Sequence, residues 1–227
     1  GQIKNQDIIC WLDKITEKKI KKVEKISGRG NSRIYKLFSY NKKIYILKYY
    51  PAIKKDSRPR LKIEYNTLKF LHSCNMKNIP KSYKKDTNLN IGIYEWFEGK
   101  EVLKPNLGDL QQAIDFVGQL NYISGQSCKE KIGLASEACL SAFEIIRQVD
   151  KRILKLISLK EELPELSAFI NHTFIPLWDE VKGAGIANWP LDSREINLGK
   201  DKQILSPSDF GFHNCIKLKG GNLLFLD

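Results

Sequence analysis

The segment that decides the fold is SPSDFGFHN at residues 206–214, followed by LLFLD at residues 223–227. Asp209 and Asn214 stand five positions apart in the first stretch, and Asp227 ends the second. Between the two stretches, short apolar runs flank a Lys-Gly-Gly sequence that favours a tight turn. The pattern predicts a β-hairpin that returns Asp227 toward the loop carrying Asp209 and Asn214.

These three residues are of the types that phosphoryl transfer requires. Transfer from ATP needs a carboxylate near the acceptor hydroxyl and oxygen ligands for Mg²⁺. Carboxylate and amide oxygens are ligands that Mg²⁺ accepts. An Asp-x-x-x-x-Asn loop, a hairpin and a further Asp is the order of the catalytic and metal-binding segments in kinases. A surface turn rich in Asp and Asn is the alternative interpretation of the same residues.

A second candidate site lies near the N-terminus, at Gly28-Arg29-Gly30-Asn31-Ser32. This segment separates two predicted strands, and its glycines would let backbone N–H groups approach phosphate oxygens closely. A plain hairpin turn explains the segment equally well.

Lys48 lies on a predicted strand, on the same face as Ile44 and Ile46. A lysine on an apolar face needs an anionic partner, although a lysine at a strand end can also reach water. Glu64 favours the first interpretation, because it falls on the apolar stripe of the next predicted helix. A carboxylate at that position is costly unless it is paired, so we expect a Lys48–Glu64 ion pair.

The loop from Asp209 to Asn214 resembles the catalytic loop of the aminoglycoside phosphotransferase and choline kinase family, which commonly reads His-Gly-Asp-Leu-His-x-x-Asn. Leu224-Phe225-Leu226-Asp227 is similar to the metal-binding strand of that family. The resemblance implies that Asp209 is the base or orients the acceptor hydroxyl, and that Asn214 and Asp227 bind Mg²⁺. Pro207 and Gly211 stand where the family often has His, and His213 is assigned no catalytic role.

The same resemblance implies an ATP site in the N-terminal half. The glycine segment resembles the family's phosphate loop, and residues 93–99 resemble its hinge, where main-chain groups would bind adenine; a simple edge strand is the alternative for the hinge. The expected nucleotide-binding residues are Gly28, Gly30, Asn31, Ser32, Lys48, Glu64, Glu95 and Phe97.

We predict an α+β, two-lobed fold of the protein-kinase type. Residues 1–97 would form a small β-rich ATP-binding lobe with an antiparallel sheet and a helix at 59–73. Residues 98–227 would form a larger helical catalytic lobe, which we expect to be incomplete at its C-terminal end. Further helices are predicted at 137–160 and 164–182, the second bent near its proline, with a strand at residues 203–205.

One more helix is predicted after Asp109, where Asp109 and Gln112 have the spacing of a capping box. Its apolar residues predict a single buried face. They are Leu110, Ile114, Val117 and Leu120.

The composition, with 42% hydrophobic and 28% charged residues, is typical of a globular protein. No apolar run is long enough to span a membrane and no signal peptide is recognisable, so we expect a cytoplasmic protein without a membrane partner. The five cysteines lack the paired spacing of zinc sites. The net charge of +12 is spread along the chain, so a lysine-rich composition explains it better than a nucleic-acid partner does.

We therefore expect a transferase, namely a small-molecule kinase that uses ATP and Mg²⁺ to phosphorylate a hydroxyl of an aminoglycoside, an amino alcohol such as choline, or a sugar. The helices predicted over residues 124–200 would enclose a pocket suited to a compact acceptor. Because Pro207 and Gly211 change the surroundings of Asp209, a catalytically inactive nucleotide-binding pseudokinase or scaffold is the rival. A nucleic-acid-binding protein ranks third.

Overall fold

The computed structural model describes residues 10–13, 20–26, 33–50, 59–124, 132–135, 138–158, 163–207 and 209–226. They belong to two compact units, Gly1–Ser136 with Leu205–Asp227, and Glu137–Ile204. The first unit contains all the described strands, and the second contains helices. The lobe boundary predicted after residue 97 stays a prediction.

An antiparallel sheet with the strand order β1-β2-β3-β5-β4 forms the N-terminal part of the first unit. Helix α1 (Arg60–Ser73) connects β3 to β4 and confirms the helix predicted at residues 59–73. The strands are β1 (Ile20–Ile26), β2 (Arg33–Ser39), β3 (Ile44–Tyr49), β4 (Ser82–Asp86) and β5 (Ile91–Glu95).

Strand β3 shows the alternation that positions the site. Tyr45 and Leu47 are buried in an apolar cluster on one face of the sheet. Ile44, Ile46 and Lys48 alternate with them along the strand and are half-buried. Because successive side chains point to opposite faces, Lys48 shares its face with the two isoleucines, as predicted.

A second antiparallel sheet consists of β6 (Gly99–Glu101), β7 (Cys215–Leu218) and β8 (Leu223–Phe225) in that order. Strands β7 and β8 confirm the predicted hairpin, and its turn includes Gly221 with a φ of +86°, a value that suits glycine. Strand β6 was not predicted. It pairs with β7 immediately after the segment proposed as the hinge.

Helix α2 (Leu107–Ser124) exposes most of the face that was predicted to be buried. Leu110, Ile114 and Val117 are exposed, and only Leu120 of the predicted set lies in the core. The helix is turned so that Asp109, in its first turn, is also on the buried side. The apolar side chains that it buries are Ala113, Phe116, Leu120 and Ile123.

The predicted capping box at the start of α2 is displaced by one turn. The N–H of Asn106 donates to Oδ2 of Asp109 at 3.1 Å, and the N–H of Asp109 donates to Oδ1 of Asn106 at 2.9 Å. This reciprocal pair is a capping box in which Asp109 takes the third helical position instead of the cap. Gln112 instead accepts from the N–H of Leu223 at 2.7 Å and donates to the carbonyl of Gly221 at 3.2 Å, so it ties α2 to the hairpin.

The second unit contains α3 (Ala142–Ile157), α4 (Pro164–Phe169), α5 (Ile175–Asn188) and α6 (Leu191–Glu195). A π-helical turn, Ile170–Phe174, joins α4 to α5 where the bend near Pro176 was predicted. The N–H of Ile175 donates to the carbonyl of Ile170, five residues earlier.

The strand predicted at residues 203–205 is wrong, since this segment is irregular. The N–H of Leu205 donates to Oγ of Ser124, which is distant in sequence, at 2.6 Å, and Nε2 of Gln203 donates to the carbonyl of Leu198 at 2.9 Å. A side-chain acceptor therefore satisfies the N–H of Leu205, where a strand would have used a neighbouring backbone carbonyl.

One apolar cluster extends through the first unit. It includes Tyr50, which follows β3, together with Tyr94 of β5, Leu68 of α1, Phe116 of α2 and Phe225 of β8. The sheet, both helices and the C-terminal hairpin therefore share a core, and this core supports both groups of candidate site residues.

Candidate active site

Strand β3 and helix α1 bring Lys48 and Glu64 together as predicted. Nζ of Lys48 lies 2.9 Å from Oε1 and 3.0 Å from Oε2 of Glu64, so the ammonium group bridges both carboxylate oxygens. The two side chains are only 17% and 19% exposed, which limits screening of the pair by salt. The ion pair is confirmed, and its role toward ATP stays a prediction.

Sequence reasoning missed two tyrosines that extend this ion pair. The hydroxyl of Tyr50 donates to Oε2 of Glu64 at 2.7 Å and lies 2.8 Å from the hydroxyl of Tyr94. Burial raises the pKa of Tyr50 far above its ordinary value, and the charge of Glu64 raises it further. Tyr50 follows Lys48 by two positions, so the period-two pattern of the strand could have placed both on one face.

At the segment proposed as the hinge, the described contacts distinguish between the two residues predicted to bind adenine. The N–H of Glu95 donates to the carbonyl of Lys81 at 2.9 Å and is already engaged. The N–H of Phe97 has no hydrogen-bond partner among the described residues. Phe97 is therefore the better candidate for a main-chain donor to adenine.

Three side chains brace this segment against β2. Nε1 of Trp96 donates to Oε1 of Glu98 at 2.8 Å, and Nζ of Lys36 lies 3.0 Å from the same oxygen. The Lys36 ammonium also lies 4.0 Å from the centre of the Trp96 ring, within the range of a cation–π contact. The hydrogen bonds from Lys36 and Trp96 lower the pKa of Glu98.

The predicted catalytic loop is closed by its own residues. Nδ2 of Asn214 donates to the carbonyl of Asp209 at 3.0 Å and lies 3.4 Å from Oδ2 of its carboxylate. Asp209 has a φ of +50°, in the left-handed region that few residues other than Gly, Asn and Asp adopt. The carboxylate is presented to solvent, with 77% of the side chain exposed.

Aromatic rings fix the residue that follows Asp209. The ring of Phe210 is stacked on Phe116 of α2, with ring centres 5.7 Å apart and planes inclined by 8°. It also lies 5.5 Å from the ring of Phe225 in β8. The backbone carrying Asp209 is therefore anchored to the core on one side while its carboxylate faces water.

His213 lies against Asp209, although no role was predicted for it. Nε2 of His213 is 3.3 Å from Oδ2 of Asp209. A Cβ atom at Gly211 would lie 2.7 Å from Nδ1 of the same imidazole, so a side chain here would require the ring to move. Glycine at this position thus makes room for the histidine ring.

The hairpin behind the loop is tied to α2 by a second ion pair. Nζ of Lys217 lies 2.7 Å from Oδ1 of Asp109, whose side chain is 2% exposed. The hydrogen bond from Lys217 lowers the pKa of Asp109, and the N–H of Asn106 lowers it further. In addition, the N–H of Leu226 donates to the carbonyl of Asn214 at 2.9 Å, so the end of β8 meets the loop.

One side-chain oxygen of this loop is a ligand of the type that Mg²⁺ accepts. No described residue donates to Oδ1 of Asn214, and this amide oxygen is a hard ligand of the kind Mg²⁺ prefers. Asp227, the other expected ligand, follows Leu226 in sequence but lies outside the described residues. Two protein ligands are sufficient, since Mg²⁺ is usually completed by water and phosphates.

The proposed phosphate loop also lies outside the described residues, so Gly28, Gly30, Asn31 and Ser32 stay predictions. The structure thus joins Lys48 to Glu64 and Asp209 to Asn214, with both pairs in the first unit.

Solved structures of small-molecule kinases share this fold. Choline kinase LicA from Streptococcus pneumoniae is 18% identical, covers 98% of this chain and 67% of its own, and has a TM-score of 0.56. Choline kinase from Cryptosporidium parvum is 14% identical, covers 99% of this chain and 64% of its own, and has a TM-score of 0.60. An aminoglycoside phosphotransferase from Alicyclobacillus acidocaldarius is 11% identical, covers 92% of this chain and 61% of its own, and has a TM-score of 0.50.

The chain therefore has the protein-kinase-like α+β fold of these structures, as predicted. It spans about two thirds of their length. No family model and no curated protein matches the sequence. In the part of the chain that the structure describes, no helix combines the length and apolarity needed to cross a membrane.

Proposed function

We propose that the chain is a phosphotransferase that uses ATP and Mg²⁺ to phosphorylate a hydroxyl group of a small molecule. The observation that carries this proposal is the Lys48–Glu64 ion pair, which lies in one compact unit with the Asp209–Asn214 loop. Kinases need both parts, one to hold the phosphates and one to act on the acceptor.

Lys48 would bind the α- and β-phosphates of ATP. Because Glu64 holds its ammonium through both carboxylate oxygens, the lysine is ordered before the nucleotide arrives. A polyanion would then gain a charge-assisted hydrogen bond without the full entropic cost of fixing a long side chain. Phe97 would donate its N–H to adenine, and the glycine segment at residues 28–32 would cover the phosphates.

Asp209 would accept the proton of the acceptor hydroxyl. The hydroxyl oxygen attacks the γ-phosphorus, and the bond from that phosphorus to the oxygen bridging to ADP breaks. Among the described residues, His213 and Asn214 approach the carboxylate of Asp209 at Oδ2, which leaves Oδ1 for the hydroxyl. When bound by Asn214 and Asp227, Mg²⁺ would offset the charge of the β- and γ-phosphates.

The structures of similar fold guide the choice of acceptors to test. Two of those named above are choline kinases and one is an aminoglycoside phosphotransferase. Amino alcohols, aminoglycosides and sugars are therefore the compounds to test first.

The test is a screen for ATP consumption with these compounds, with casein and histone as protein substrates for comparison. The matched variant is Asp209→Asn, because asparagine tolerates the left-handed backbone of Asp209 while it removes the base. We expect at least one small hydroxyl compound to be phosphorylated by the wild type. In Asp209→Asn the turnover should fall by about 10²- to 10⁴-fold while ATP still binds.

Two other results would contradict the proposal. Phosphorylation of casein or histone without a response to any small compound would indicate a protein kinase. Binding of Mg-ATP without turnover of any acceptor would favour the rival, an inactive nucleotide-binding protein. The altered loop around Gly211 is the structural reason to consider this rival.

A further inference from the structure

The buried hydroxyls of Tyr50 and Tyr94 have a defined direction of hydrogen bonding. The carboxylate of Glu64 can only accept, so Tyr50 donates its single proton to Oε2. The oxygen of Tyr50 must then accept from the hydroxyl of Tyr94, 2.8 Å away. The order of donors is therefore Tyr94 to Tyr50 to Glu64, and Glu64 in turn holds Lys48.

A glycine in the middle of β5 makes this arrangement possible. Gly92 is paired with Lys48 in the sheet, and Tyr94, two residues later, lies on the same face. A Cβ atom at Gly92 would lie 2.5 Å from the hydroxyl oxygen and 2.6 Å from a ring carbon of Tyr94. The aromatic ring therefore lies across the glycine, and a larger residue would displace it.

The packing of Tyr94 over Gly92 explains why a glycine occupies this position in the strand. Glycine weakens the interior of a strand, and in such a position it often marks a close approach by another group. Because Tyr94 is 3% exposed and Tyr50 is 1% exposed, neither ring can move into solvent to relieve a collision.

We propose that Tyr50 is a positioning residue for the nucleotide, with Tyr94 as its support and Gly92 as the position over which Tyr94 packs. The inference rests on the proposed function, because it assumes that Lys48 binds the phosphates of ATP. The Tyr50 hydroxyl fixes the plane of the Glu64 carboxylate and takes part of its negative charge. Glu64 can then orient the Lys48 ammonium without holding it so strongly that the phosphates cannot compete.

The geometry supports a specific role beyond packing. Oε2 of Glu64 accepts from both Lys48 and Tyr50, so loss of the tyrosine hydroxyl removes one donor from this oxygen while the lysine stays. The carboxylate would then be free to rotate toward Lys48. Hydrogen bonds to charged groups are among the stronger ones in proteins, so this loss should be measurable in nucleotide binding.

The experiment compares Mg-ATP binding and steady-state kinetics of the full chain and three variants. Tyr50→Phe removes the first hydroxyl, Tyr94→Phe removes the second, and Gly92→Ala displaces the second without removing any polar group. The matched control is Tyr35→Phe, which removes a hydroxyl from a buried tyrosine of the other apolar cluster. All are measured by calorimetry below the melting temperature of the least stable variant.

We expect the Kd for Mg-ATP to rise about tenfold in Tyr50→Phe, which corresponds to about 1.4 kcal/mol. Tyr94→Phe and Gly92→Ala should each raise the Kd for Mg-ATP by a smaller factor of about threefold. The KM for ATP should rise in parallel, and Tyr35→Phe should match the wild type. Because a role confined to packing would lower only the melting temperature, a rise in Kd distinguishes positioning from stability.

Two results would overturn the inference in distinguishable ways. If the wild type binds Mg-ATP and Tyr50→Phe and Tyr94→Phe bind it equally well, the inference is wrong and the proposed function stands. If neither the wild type nor Tyr35→Phe binds Mg-ATP while folded, the proposed function fails and the inference fails with it.

Discussion

Removal of the Lys48 ammonium should destabilise the protein even without a nucleotide. In Lys48→Met the stem is kept, but the Glu64 carboxyl loses contacts of 2.9 and 3.0 Å to a cation. Removal of one partner of a fully buried pair costs about 3–5 kcal/mol. Here the pair is 17% and 19% exposed and Tyr50 still donates to Glu64, so we expect a loss of about 2 kcal/mol.

Thermal unfolding followed by circular dichroism measures this loss. For a chain of this size, about 2 kcal/mol corresponds to a fall of about 4–8 °C in Tm. The matched control is Lys22→Met, which removes an exposed ion pair with Glu24 on β1 and should change stability by no more than about 0.5 kcal/mol. The double variant Lys48→Met/Glu64→Gln also replaces the carboxylate that has lost its cation, so it should recover part of the stability.

The reasoning about the ion pair would be refuted by either of two results. One is a Tm of Lys48→Met no lower than that of Lys22→Met. The other is a double variant whose loss equals the sum of the two single losses, because contacting residues are expected to show a coupling energy of about 0.5–3 kcal/mol.

Two further predictions concern the elements that support the loop. The pKa of Asp109 is lowered in the folded state by Lys217, so its contribution to stability is present above the unfolded pKa of about 3.9 and is lost as the pH falls through the folded value. In Asp109→Asn the Tm at neutral pH should therefore be lower than that of the wild type, and it should depend less on pH below about 4. Parallel plots of Tm against pH for the two proteins would contradict this. Phe210→Ala removes the ring that anchors the loop. Turnover should fall about tenfold or more while ATP affinity stays unchanged, because a small displacement of a catalytic group lowers the rate steeply. Unchanged turnover in a kinetic assay would show that the stacked ring does not position the Asp209 carboxylate.

Local periodicity was sufficient to predict the ion pair between Lys48 and Glu64. Alternation along β3 and the helical repeat of α1 place Lys48 and Glu64 on apolar faces, and a charge on such a face predicts its partner. The same arithmetic would have included Tyr50, two residues after Lys48. It could not have found Tyr94, since this partner is 44 residues away in sequence and depends on the register of β5 with β3.

Helix α2 shows where local patterns are insufficient. Its apolar residues Leu110, Ile114 and Val117 repeat at helical spacing, yet the buried stripe includes the charged Asp109 instead. The carboxylate can be buried because Lys217 on β7 pairs with it, and no local rule predicts a partner so far along the chain. Long-range pairing thus decided the face of the helix.

The contact between Asp209 and Asn214 in the proposed catalytic loop was implied by their spacing, but the detailed arrangement of this loop was not predicted. Asp209 and Asn214 lie in contact, as the five-residue interval implied. The imidazole of His213 lies over Gly211 because the loop turns back through a single 3₁₀ turn at Phe212–Asn214. That reversal depends on backbone geometry, which the residue types alone do not specify.

Calorimetric titration of the folded chain with Mg-ATP tests the central claim most directly. We predict measurable heat with a Kd in the millimolar range or tighter, no heat with Mg²⁺-free adenosine at the same concentration, and weaker binding by Lys48→Met, because that variant lacks the cation opposite the phosphates. Absence of heat with Mg-ATP at millimolar concentration, from wild-type protein shown to be folded by circular dichroism, would contradict the account.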